Sequence, residues 1–422
     1  MELATDGAGS VPLRPTATAV TFGTMLPTAV HPARLASLPR RWRAAPRRWG
    51  HPLHSICSYM AMFPPSLPHV FIDWLTERGD VVYDPFAGRG TVPLEAALME
   101  RVGLGSDNNP MACLLTGAKV DPPEREDLLA RIATLRRRIR PRSTADVPPH
   151  VKALFSEFTL ARLVWLRSNL DLDDAVDRFL MALLIGRLHG NADSQGRPAG
   201  LTVAMPNTFA MAPKYVSRYI EEHGLEAPVK NPLDLLQDRV TSLPLPRKRI
   251  RGRAWSQDAR ERIAWPPHLP AAKLVFTSPP YLSVMKYGKF NWIRLWMLGH
   301  EPASVDAGLF TSSSLEKYTE FLTRSVVQIR RRLRDDGYVC LVIGDVRLGD
   351  GYLNLAGAVE RSLIESGLRH LGTVVDDLPV DHKVSRIWGD TRGRATKTDR
   401  VMILAGPNAV MPGPVPAFVW RE

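Results

Sequence analysis

The sequence predicts an α/β protein with a mostly parallel sheet, and two observations lead to this expectation. Apolar segments typical of buried strands alternate with segments of helical period in two parts of the chain, roughly 55–121 and 255–405. In the first part, a glycine turn joins a strand to a helix, and the next strand ends at an acidic residue. A strand, a glycine turn, a helix and a strand in this order predict the opening of a Rossmann-like unit.

The first part of this pattern contains a leading helix and two strands. Residues 66–78 carry apolar side chains at helical spacing, and residues 81–86 are typical of a short buried strand that enters a turn. Residues 88–91 form that turn and open the next helix. Residues 103–109 then predict the second strand.

The stretch from 121 to 253 has a different character. Its apolar residues recur with a helical period, interrupted by loops that contain proline and methionine. We expect a mainly helical insertion that divides the α/β domain into residues 51–120 and 254–422. Two basic runs, 136–142 and 247–253, bracket the insertion and are either phosphate-tracking surfaces or solvated linkers.

The second part of the pattern completes the sheet. Its predicted elements are a strand at 273–281, a helix at 318–334, a strand at 336–345, a helix at 353–367 and two strands at 368–379 and 399–406. No helix is predicted between the last two strands, so we expect them to form a closing antiparallel pair. The predicted fold class is therefore a Rossmann-like, seven-stranded, mostly parallel sheet with a reversed final strand, plus the helical insertion.

Residues 1–50 differ from the rest of the chain because they are rich in Ala, Pro, Thr and Arg and show no clear period. We expect a flexible tail. Its last segment, residues 39–50, interleaves arginine with tryptophan. Such a segment either contacts the phosphates and bases of a nucleic acid or docks as an arm on its own domain.

The composition describes a folded chain with an excess of positive charge. Of the 422 residues, 45% are hydrophobic and 23% are charged, which excludes a disordered chain, a coiled coil and a collagen-like fibre. There are 55 Lys and Arg residues against 43 Asp and Glu residues, so the formal net charge is +12. This excess favours an acidic polymer such as nucleic acid as a partner, although an arginine-rich solvated surface would give the same charge.

Three further features bear on the compartment and on metals. The longest apolar runs, such as 179–185, are too short to span a bilayer, and the first residues lack the basic and apolar regions of a secretory signal. The three cysteines, Cys57, Cys113 and Cys340, lie far apart and match no zinc spacing. We therefore expect a cytoplasmic protein with no metal site and no membrane partner.

The first motif that carries chemistry is DPFAGRGT, residues 84–91. Gly88 and Gly90 allow the backbone to approach a ligand closely, and Asp107 ends the next strand, where an acid can accept hydrogen bonds from ribose hydroxyls. A dinucleotide enzyme shares these features. However, the turn lacks the G-x-G-x-x-G spacing that cradles a pyrophosphate, so the pattern favours a nucleoside-bearing cofactor without phosphates.

The second motif is TSPPY, residues 277–281, which follows an apolar strand. Two prolines fix φ and leave carbonyl groups that have no competing amide. Together with Ser278 they can form an acceptor pocket for an exocyclic amine, and Tyr281 can stack on a planar base. The plainer interpretation is a Pro-Pro turn followed by a core tyrosine.

These motifs resemble those of the amino-methyltransferases that use S-adenosylmethionine to methylate exocyclic amines of DNA bases. Residues 84–91 resemble the cofactor turn of that family, and residues 277–281 resemble its catalytic tetrad of Asp, Asn or Ser, two prolines and Tyr or Phe. Residues 58–75 resemble the segment that closes over the methionine end of the cofactor. Residues 255–260 resemble the acid-bearing segment before the catalytic strand. The resemblance covers both α/β parts, well over half of the chain. Because the target-reading part of related enzymes often lies in such an insertion, the resemblance makes residues 121–253 a candidate target-recognition region.

The resemblance implies S-adenosylmethionine as the cofactor and a set of site residues. The implied catalytic residues are Ser278, Pro279, Pro280 and Tyr281. The implied cofactor-binding residues are Phe63, Asp84, Pro85, Phe86, Gly88, Gly90, Thr91, Asp107, Asn108 and Asp258. Within the second set, Asp107 is expected on the ribose and Asp258 on the adenine amino group.

The serine at the first tetrad position most resembles the cytosine-N4-specific members of the family. The resemblance therefore implies a site-specific enzyme that methylates the N4 amine of cytosine in double-stranded DNA, with the target base flipped out of the helix. It further implies a restriction–modification setting with a separate endonuclease, at the nucleoid of a prokaryotic cytoplasm. Three alternatives stay open: an adenine-N6 enzyme, an RNA base amino-methyltransferase, and a catalytically silent nucleic-acid-binding subunit on the same fold.

Overall fold

The strands of the described residues fall into one large sheet and two small ribbons. The computed structural model describes residues 49–60, 63–190, 192–193, 195–205, 212–282, 286–348, 351–376, 386–388, 391–392 and 399–413. The strands are β1 (Val81–Asp84), β2 (Val102–Asp107), β3 (Arg251–Ser256), β4 (Ala272–Thr277), β5 (Leu333–Gly344), β6 (Val346–Leu348), β7 (Gly351–Leu353), β8 (Arg369–Asp376), β9 (Arg386–Trp388), β10 (Thr391–Arg392) and β11 (Asp399–Ala405). The predicted N-terminal tail, except for its last two residues, lies outside the described residues.

The large sheet has the strand order β3-β2-β1-β4-β5-β11-β8. From β3 to β5 all neighbours are parallel, whereas β11 runs antiparallel to both β5 and β8. The predicted fold class and the closing antiparallel pair are therefore confirmed. The strand order reverses at β1, which lies between β2 and β4, and open α/β sheets bind their ligands at the carboxyl ends of strands beside such a point.

The helices cover both faces of the sheet and form a separate layer. They are α1 (Ser66–Leu75), α2 (Thr91–Leu98), α3 (Pro110–Val120), α4 (Arg125–Arg138), α5 (Pro149–Lys152), α6 (Glu157–Arg167), α7 (Ala175–Ile185), α8 (Pro213–Glu222), α9 (Pro232–Ser242), α10 (Tyr287–Phe290), α11 (Trp292–Leu298), α12 (Pro302–Gly308), α13 (Leu315–Arg330) and α14 (Leu355–Ile364). A short 3₁₀ helix, Pro52–Ser55, precedes α1. No helix among the described residues is both long and apolar enough to cross a bilayer.

Alternate strand residues point to opposite faces of the sheet and build one core on each face. Val82 and Phe276 face the core that α1 covers, whereas Val81 and Val275 face the core beneath α13 and α14. Val82 is also in register with Leu274 of β4. This alternation fixes the register of β1 against β4, because a slip of one residue would exchange the two buried faces.

A third core lies between helices. It joins α3 to helices α4, α6, α7 and α9 of the predicted insertion and to α11. The sequence analysis missed α3, because Pro110–Val120 is buried on nearly every side and so lacks an amphipathic period. Asn109 caps this helix, since its side chain accepts a hydrogen bond from the amide of Met111 at 3.1 Å.

The glycines of β2 let α2 pack directly on the strand. A Cβ at Gly103 would lie 1.9 Å from the carbonyl oxygen of Pro93, and one at Gly105 would lie 3.0 Å from Cβ of Ala87. Any larger residue would push α2 and the preceding turn away from the sheet. All the described residues belong to one of the two units into which the chain divides, Ala33–Glu422.

Candidate active site

The turn between β1 and α2 places its own backbone at the carboxyl edge of the sheet. Gly88 and Gly90 have φ values of +52° and +77°, in the left-handed region that favours glycine. Gly90 is the N-cap of α2, which begins at Thr91. A Cβ at Gly90 would lie 2.7 Å from the hydroxyl oxygen of Thr116 in α3, so the turn is packed tightly from behind.

Asp107, at the end of β2, holds this turn in place. Its Oδ2 accepts a hydrogen bond from the amide of Gly88 at 2.9 Å, and its Oδ1 accepts one from the amide of Asn109 at 2.9 Å. Burial raises the pKa of Asp107 to about 6, although both amides act to lower it. The carboxylate therefore joins the ends of two neighbouring strands and remains able to accept further hydrogen bonds from a ligand.

Asp84, at the end of β1, is the most buried acid of this edge, with 2% of its surface exposed. Its Oδ1 accepts a hydrogen bond from the hydroxyl of Thr277 at 2.5 Å and from the amide of Phe86 at 3.1 Å. Burial raises the pKa of Asp84 to about 7, and the charge of Asp107 adds to the rise. Two carboxyl groups with raised pKa values therefore lie close together at this edge.

Ser278 follows β4 and has its hydroxyl group oriented by the neighbouring strand. Its Oγ donates a hydrogen bond to the carbonyl oxygen of Val342 in β5 at 3.2 Å. Because a hydroxyl has one hydrogen, the oxygen of Ser278 is left as an acceptor. Pro279 and Pro280 have no amide hydrogen, so this turn offers acceptors without backbone donors.

Tyr281 completes the tetrad and is buried in the same region. Burial raises the pKa of its hydroxyl to about 12, and the charge of Asp399 contributes to the rise. The neighbouring side chain of Ser278 acts in the opposite direction and lowers this pKa.

A single cleft joins the two motifs. It encloses about 970 Å³ of empty space, part of it open to solvent. Every sequence-predicted site residue lines it except Gly90, which lies behind the turn against Thr116. The lining residues are Tyr59, Met60, Phe63, Asp84, Pro85, Phe86, Ala87, Gly88, Arg89, Thr91, Asp107, Asn108, Asn109, Gln257, Asp258, Ala259, Arg260, Ser278, Pro279, Pro280, Tyr281, Tyr287, Gly308, Leu309, Phe310 and Phe321.

Asp258 lines the cleft but is engaged by a neighbour. Arg260 donates to it from the backbone amide and from Nε at 2.9 Å each, and from a terminal guanidinium nitrogen at 2.5 Å. Although burial acts to raise the pKa of Asp258, the ion pair with Arg260 holds it below its ordinary value. The predicted contact with an adenine amino group therefore depends on the oxygen lone pairs that Arg260 leaves free.

Aromatic side chains form two walls of the cleft, and the sequence analysis assigned a role to few of them. Phe310 stacks on Phe321 with ring centroids 4.1 Å apart, and Phe86 lies 5.7 Å from Phe321. On the other side, Tyr59 and Tyr287 have ring centroids 5.9 Å apart. These walls are largely apolar, planar surfaces that suit flat ligand groups.

Tyr59 ties one wall to the strand ends. Its hydroxyl accepts a hydrogen bond from the side-chain amide of Asn109 at 3.0 Å, and its ring lies 3.4 Å from where a Cβ on Gly88 would be. Phe310 lies in a stretch without a motif, so no local signal marked it. Tyr287 belongs to an aromatic stretch that follows the 277–281 motif, where some side chains were expected to line the pocket and most to lie in a helix core. Tyr59 lies within the 58–75 segment, and its position there was the available signal.

A buried acid with two histidines lies next to the glycine turn. Glu95 of α2 is hydrogen-bonded to His54 at 2.6 Å and to His69 at 2.8 Å. Burial acts to raise the pKa of Glu95, but the two histidines hold it below its ordinary value. The guanidinium of Arg89 donates to the carbonyl oxygen of His54 at 3.0 Å, which directs the turn arginine toward this cluster.

Comparison with known proteins gives one match to a protein family and several to solved structures. Residues 40–116 match the family model described as DNA methylase, N6_N4_Mtase. This segment contains the cofactor turn and Asp107 but is less than half of the chain. No curated protein matches the chain in sequence.

Three solved structures illustrate the structural matches. TrmN from Thermus thermophilus is 12% identical, with a TM-score of 0.33, over 84% of this chain and 52% of its own. A candidate DNA modification methylase from the same organism, complexed with S-adenosyl-L-methionine, is 21% identical, with a TM-score of 0.22, over 36% of this chain and 54% of its own. The rRNA methyltransferase aviRa from Streptomyces viridochromogenes is 10% identical, with a TM-score of 0.32, over 84% of this chain and 90% of its own. This chain thus spans about half the length of the first two structures.

Proposed function

We propose that this protein transfers a methyl group from S-adenosylmethionine to the exocyclic amine of a base in DNA, with the N4 amine of cytosine as the target. One observation carries the proposal. A single cleft combines a glycine turn, two acidic strand ends and the Ser-Pro-Pro-Tyr turn of the adjacent strand. The match of residues 40–116 to a DNA methylase family model supports the same reaction class.

The electrostatics of the cleft support this cofactor. Asp84 and Asp107 are acids with raised pKa values, so their ionised forms are stabilised by a cationic ligand. The two arginines of the lining are directed elsewhere, Arg89 at His54 and Arg260 at Asp258. S-adenosylmethionine carries a sulfonium and an ammonium group and no phosphate, which suits an acidic cleft with a short glycine turn.

The chemistry of the cleft residues indicates which of them would hold this cofactor. Asp107 has lone pairs for two ribose hydroxyls, and Asp84 offers a negative charge to the methionine end. The aromatic wall of Phe86, Phe310 and Phe321 suits the flat adenine ring. When bound, the cofactor supplies an electrophilic methyl group.

The catalytic problem is to make a weak nucleophile react. The amine of cytosine delocalises its lone pair into the ring, so it needs hydrogen-bond acceptors that concentrate electron density on nitrogen. The oxygen of Ser278 and the carbonyl of Pro279 are our acceptors, because Ser278 donates its own hydrogen to Val342. The amine proton becomes acidic as the new bond forms, and it leaves to Ser278 or to water.

The partner we propose is double-stranded DNA with the target base flipped out, because an enzyme cannot reach the exocyclic amine of a base that is still paired and stacked in the duplex. The net charge of +12 favours association with phosphates. Arg247, Lys248 and Arg249 lie exposed or partly exposed before the edge strand β3, whose Arg251 and Arg253 are also exposed. These cations are candidates for contacts outside the target base.

Cofactor affinity is expected to rise with pH across neutrality. Burial raises the pKa of Asp84 to about 7, and a bound cation favours the carboxylate, so cofactor binding releases a proton from this group. Below about pH 7 the affinity is expected to fall by up to about tenfold per pH unit, and above it to level off. Titration calorimetry from about pH 6 to about pH 8 measures this. Asp84→Asn serves as the control and is expected to flatten the profile, and an affinity independent of pH in the parent would contradict the assignment.

The proposed reaction is tested by identifying the methylated nucleoside. The enzyme is incubated with methyl-labelled cofactor and mixed-sequence DNA, and separately with RNA, and the product is hydrolysed to nucleosides. Label in N4-methylcytosine is the expected result. Label in N6-methyladenine alone would show that adenine is the target base, with the same mechanism. Label only with RNA would show that the substrate is RNA. Cofactor binding without any transfer would favour a catalytically silent subunit.

A further inference from the structure

A second cavity, separate from the catalytic cleft, is lined by three arginines. Its walls are Arg262, Ile263, Gln328, Arg331 and Arg332, and it encloses about 610 Å³ of empty space, part of it open to solvent. None of these residues lines the catalytic cleft. Within the described part of the chain no carboxylate lines the cavity, so its wall has only positive charge, one amide and one apolar side chain.

The cavity lies at the opposite edge of the sheet from the catalytic cleft. Arg332 follows the end of α13, and its carbonyl oxygen accepts a hydrogen bond from the amide of Ala272, the first residue of β4, at 2.8 Å. Ser278 follows the last residue of the same strand. Because β4 has six residues, about 20 Å separates the two edges.

The hydrogen bonds of the cavity arginines go to neutral groups, whereas nearby arginines are paired with acids. Arg331 donates to the side-chain oxygen of Gln328 at 3.2 Å, and Arg332 donates to the carbonyl oxygen of Ile263 at 2.9 Å. Among the described residues, none of the three cavity arginines forms an ion pair.

Two acids close to the cavity arginines in sequence pair with arginines outside the cavity. Arg330 pairs with Asp335 at 2.7 Å, and Arg334 pairs with Asp336 at 2.8 Å. Among the described residues, no carboxylate lies within ion-pairing distance of the cavity arginines. Three like charges around one open space repel each other, and an anion bound between them would remove that repulsion.

The polar groups of the cavity are also all oriented as donors. Since the Gln328 oxygen accepts from Arg331, its amide nitrogen remains to donate, and guanidinium groups have only donors. A tetrahedral oxyanion accepts several such hydrogen bonds at once, and guanidinium groups bind phosphate through paired N–H donors. Carboxylate ligands offer fewer acceptor directions to three converging arginines.

We propose that this cavity binds a phosphate group. The phosphate is either a phosphodiester of a nucleic acid, an interpretation that rests on the proposed function, or that of a small phosphorylated ligand. In the first case the cavity contacts the DNA backbone at a distance from the target base. In the second it is an independent anion site.

The test removes two of the three charges with the whole chain intact. Arg262 and Arg331 are exposed, so the double variant Arg262→Ala, Arg331→Ala is expected to fold as the parent does. The matched control is Arg78→Ala, Arg361→Ala, which removes two exposed arginines elsewhere. Thermal unfolding is followed as inorganic phosphate replaces chloride at constant ionic strength, and the salt dependence of binding to a labelled DNA duplex is measured in the same three proteins.

The expected result is that phosphate raises the unfolding temperature of the parent and the control but not that of the cavity variant. If the cavity holds a DNA phosphate, the slope of the logarithm of affinity against the logarithm of salt falls in magnitude by about one in the cavity variant alone. An unchanged slope with the phosphate effect lost assigns the site to a small phosphorylated ligand. If the cavity variant behaves as the control in both measurements, the proposal is wrong. Neither measurement depends on methyl transfer, so both test the phosphate site even if the proposed reaction is not observed.

Discussion

Ser278→Ala is expected to lower the single-turnover rate of methyl transfer by about 10²- to 10³-fold, with little change in cofactor affinity. The Ser278 hydroxyl donates its hydrogen to the carbonyl oxygen of Val342, which leaves its oxygen as an acceptor for the target amine. This hydrogen bond strengthens as the amine becomes positive in the transition state, so its loss affects the chemical step. Single-turnover transfer from labelled cofactor, together with calorimetric titration of S-adenosylhomocysteine, measures the two effects separately.

Ser325→Ala is the matched control for this experiment. Ser325 is a fully buried serine of α13 whose hydroxyl donates to the carbonyl oxygen of Phe321 at 2.9 Å, and it does not line the cleft. Its loss removes a buried hydroxyl from the same domain without removing the proposed acceptor. An equal loss of rate in both variants, or an unchanged rate in Ser278→Ala, would remove Ser278 from the mechanism.

Asp107→Ala is expected to weaken cofactor binding by about 1–3 kcal/mol, or about five- to 150-fold. The variant removes the proposed acceptor for the ribose hydroxyls. It also leaves the amides of Gly88 and Asn109 without their partner, which loosens the turn that faces the cofactor. Calorimetric titration with S-adenosylhomocysteine measures the loss without any turnover.

Two further variants separate ligand binding from folding. Asp107→Asn retains one acceptor oxygen and the size of the side chain, so we expect an intermediate loss of affinity. Asp345→Ala removes another buried acid, which pairs with Arg400 at 2.9 Å outside the cleft lining, and is expected to lower stability but leave affinity unchanged. Asp107→Ala with the affinity of the parent would contradict the ribose assignment.

The strand-turn-helix unit could be predicted from the sequence because its determinants are local. A buried run of four residues, two glycines with positive φ and an apolar helix lie within Val81–Leu98. The antiparallel closing pair could be predicted for a similar reason, since two apolar strands without an intervening helix leave no parallel crossover. The edge strand β3 was not predicted, because its exposed Arg251 and Arg253 belong to a basic run that suited either a phosphate-tracking surface or a solvated linker.

What the sequence by itself determined was the set of residues that meet at the carboxyl edge of the sheet, since strand ends are marked by turns and the parallel order brings them together. The tertiary structure alone decided the state of those residues. Ser278 became an acceptor because β5 presents Val342. Asp84 acquired a raised pKa because the surrounding core excludes water, although the hydrogen bond from Thr277 acts to lower it. Such contacts join residues 64 and 193 positions apart, and no local pattern encodes a hydrogen bond across that distance. The arginine cavity was hidden from the sequence for the same reason, because its charges come from a loop and a helix that only folding brings together.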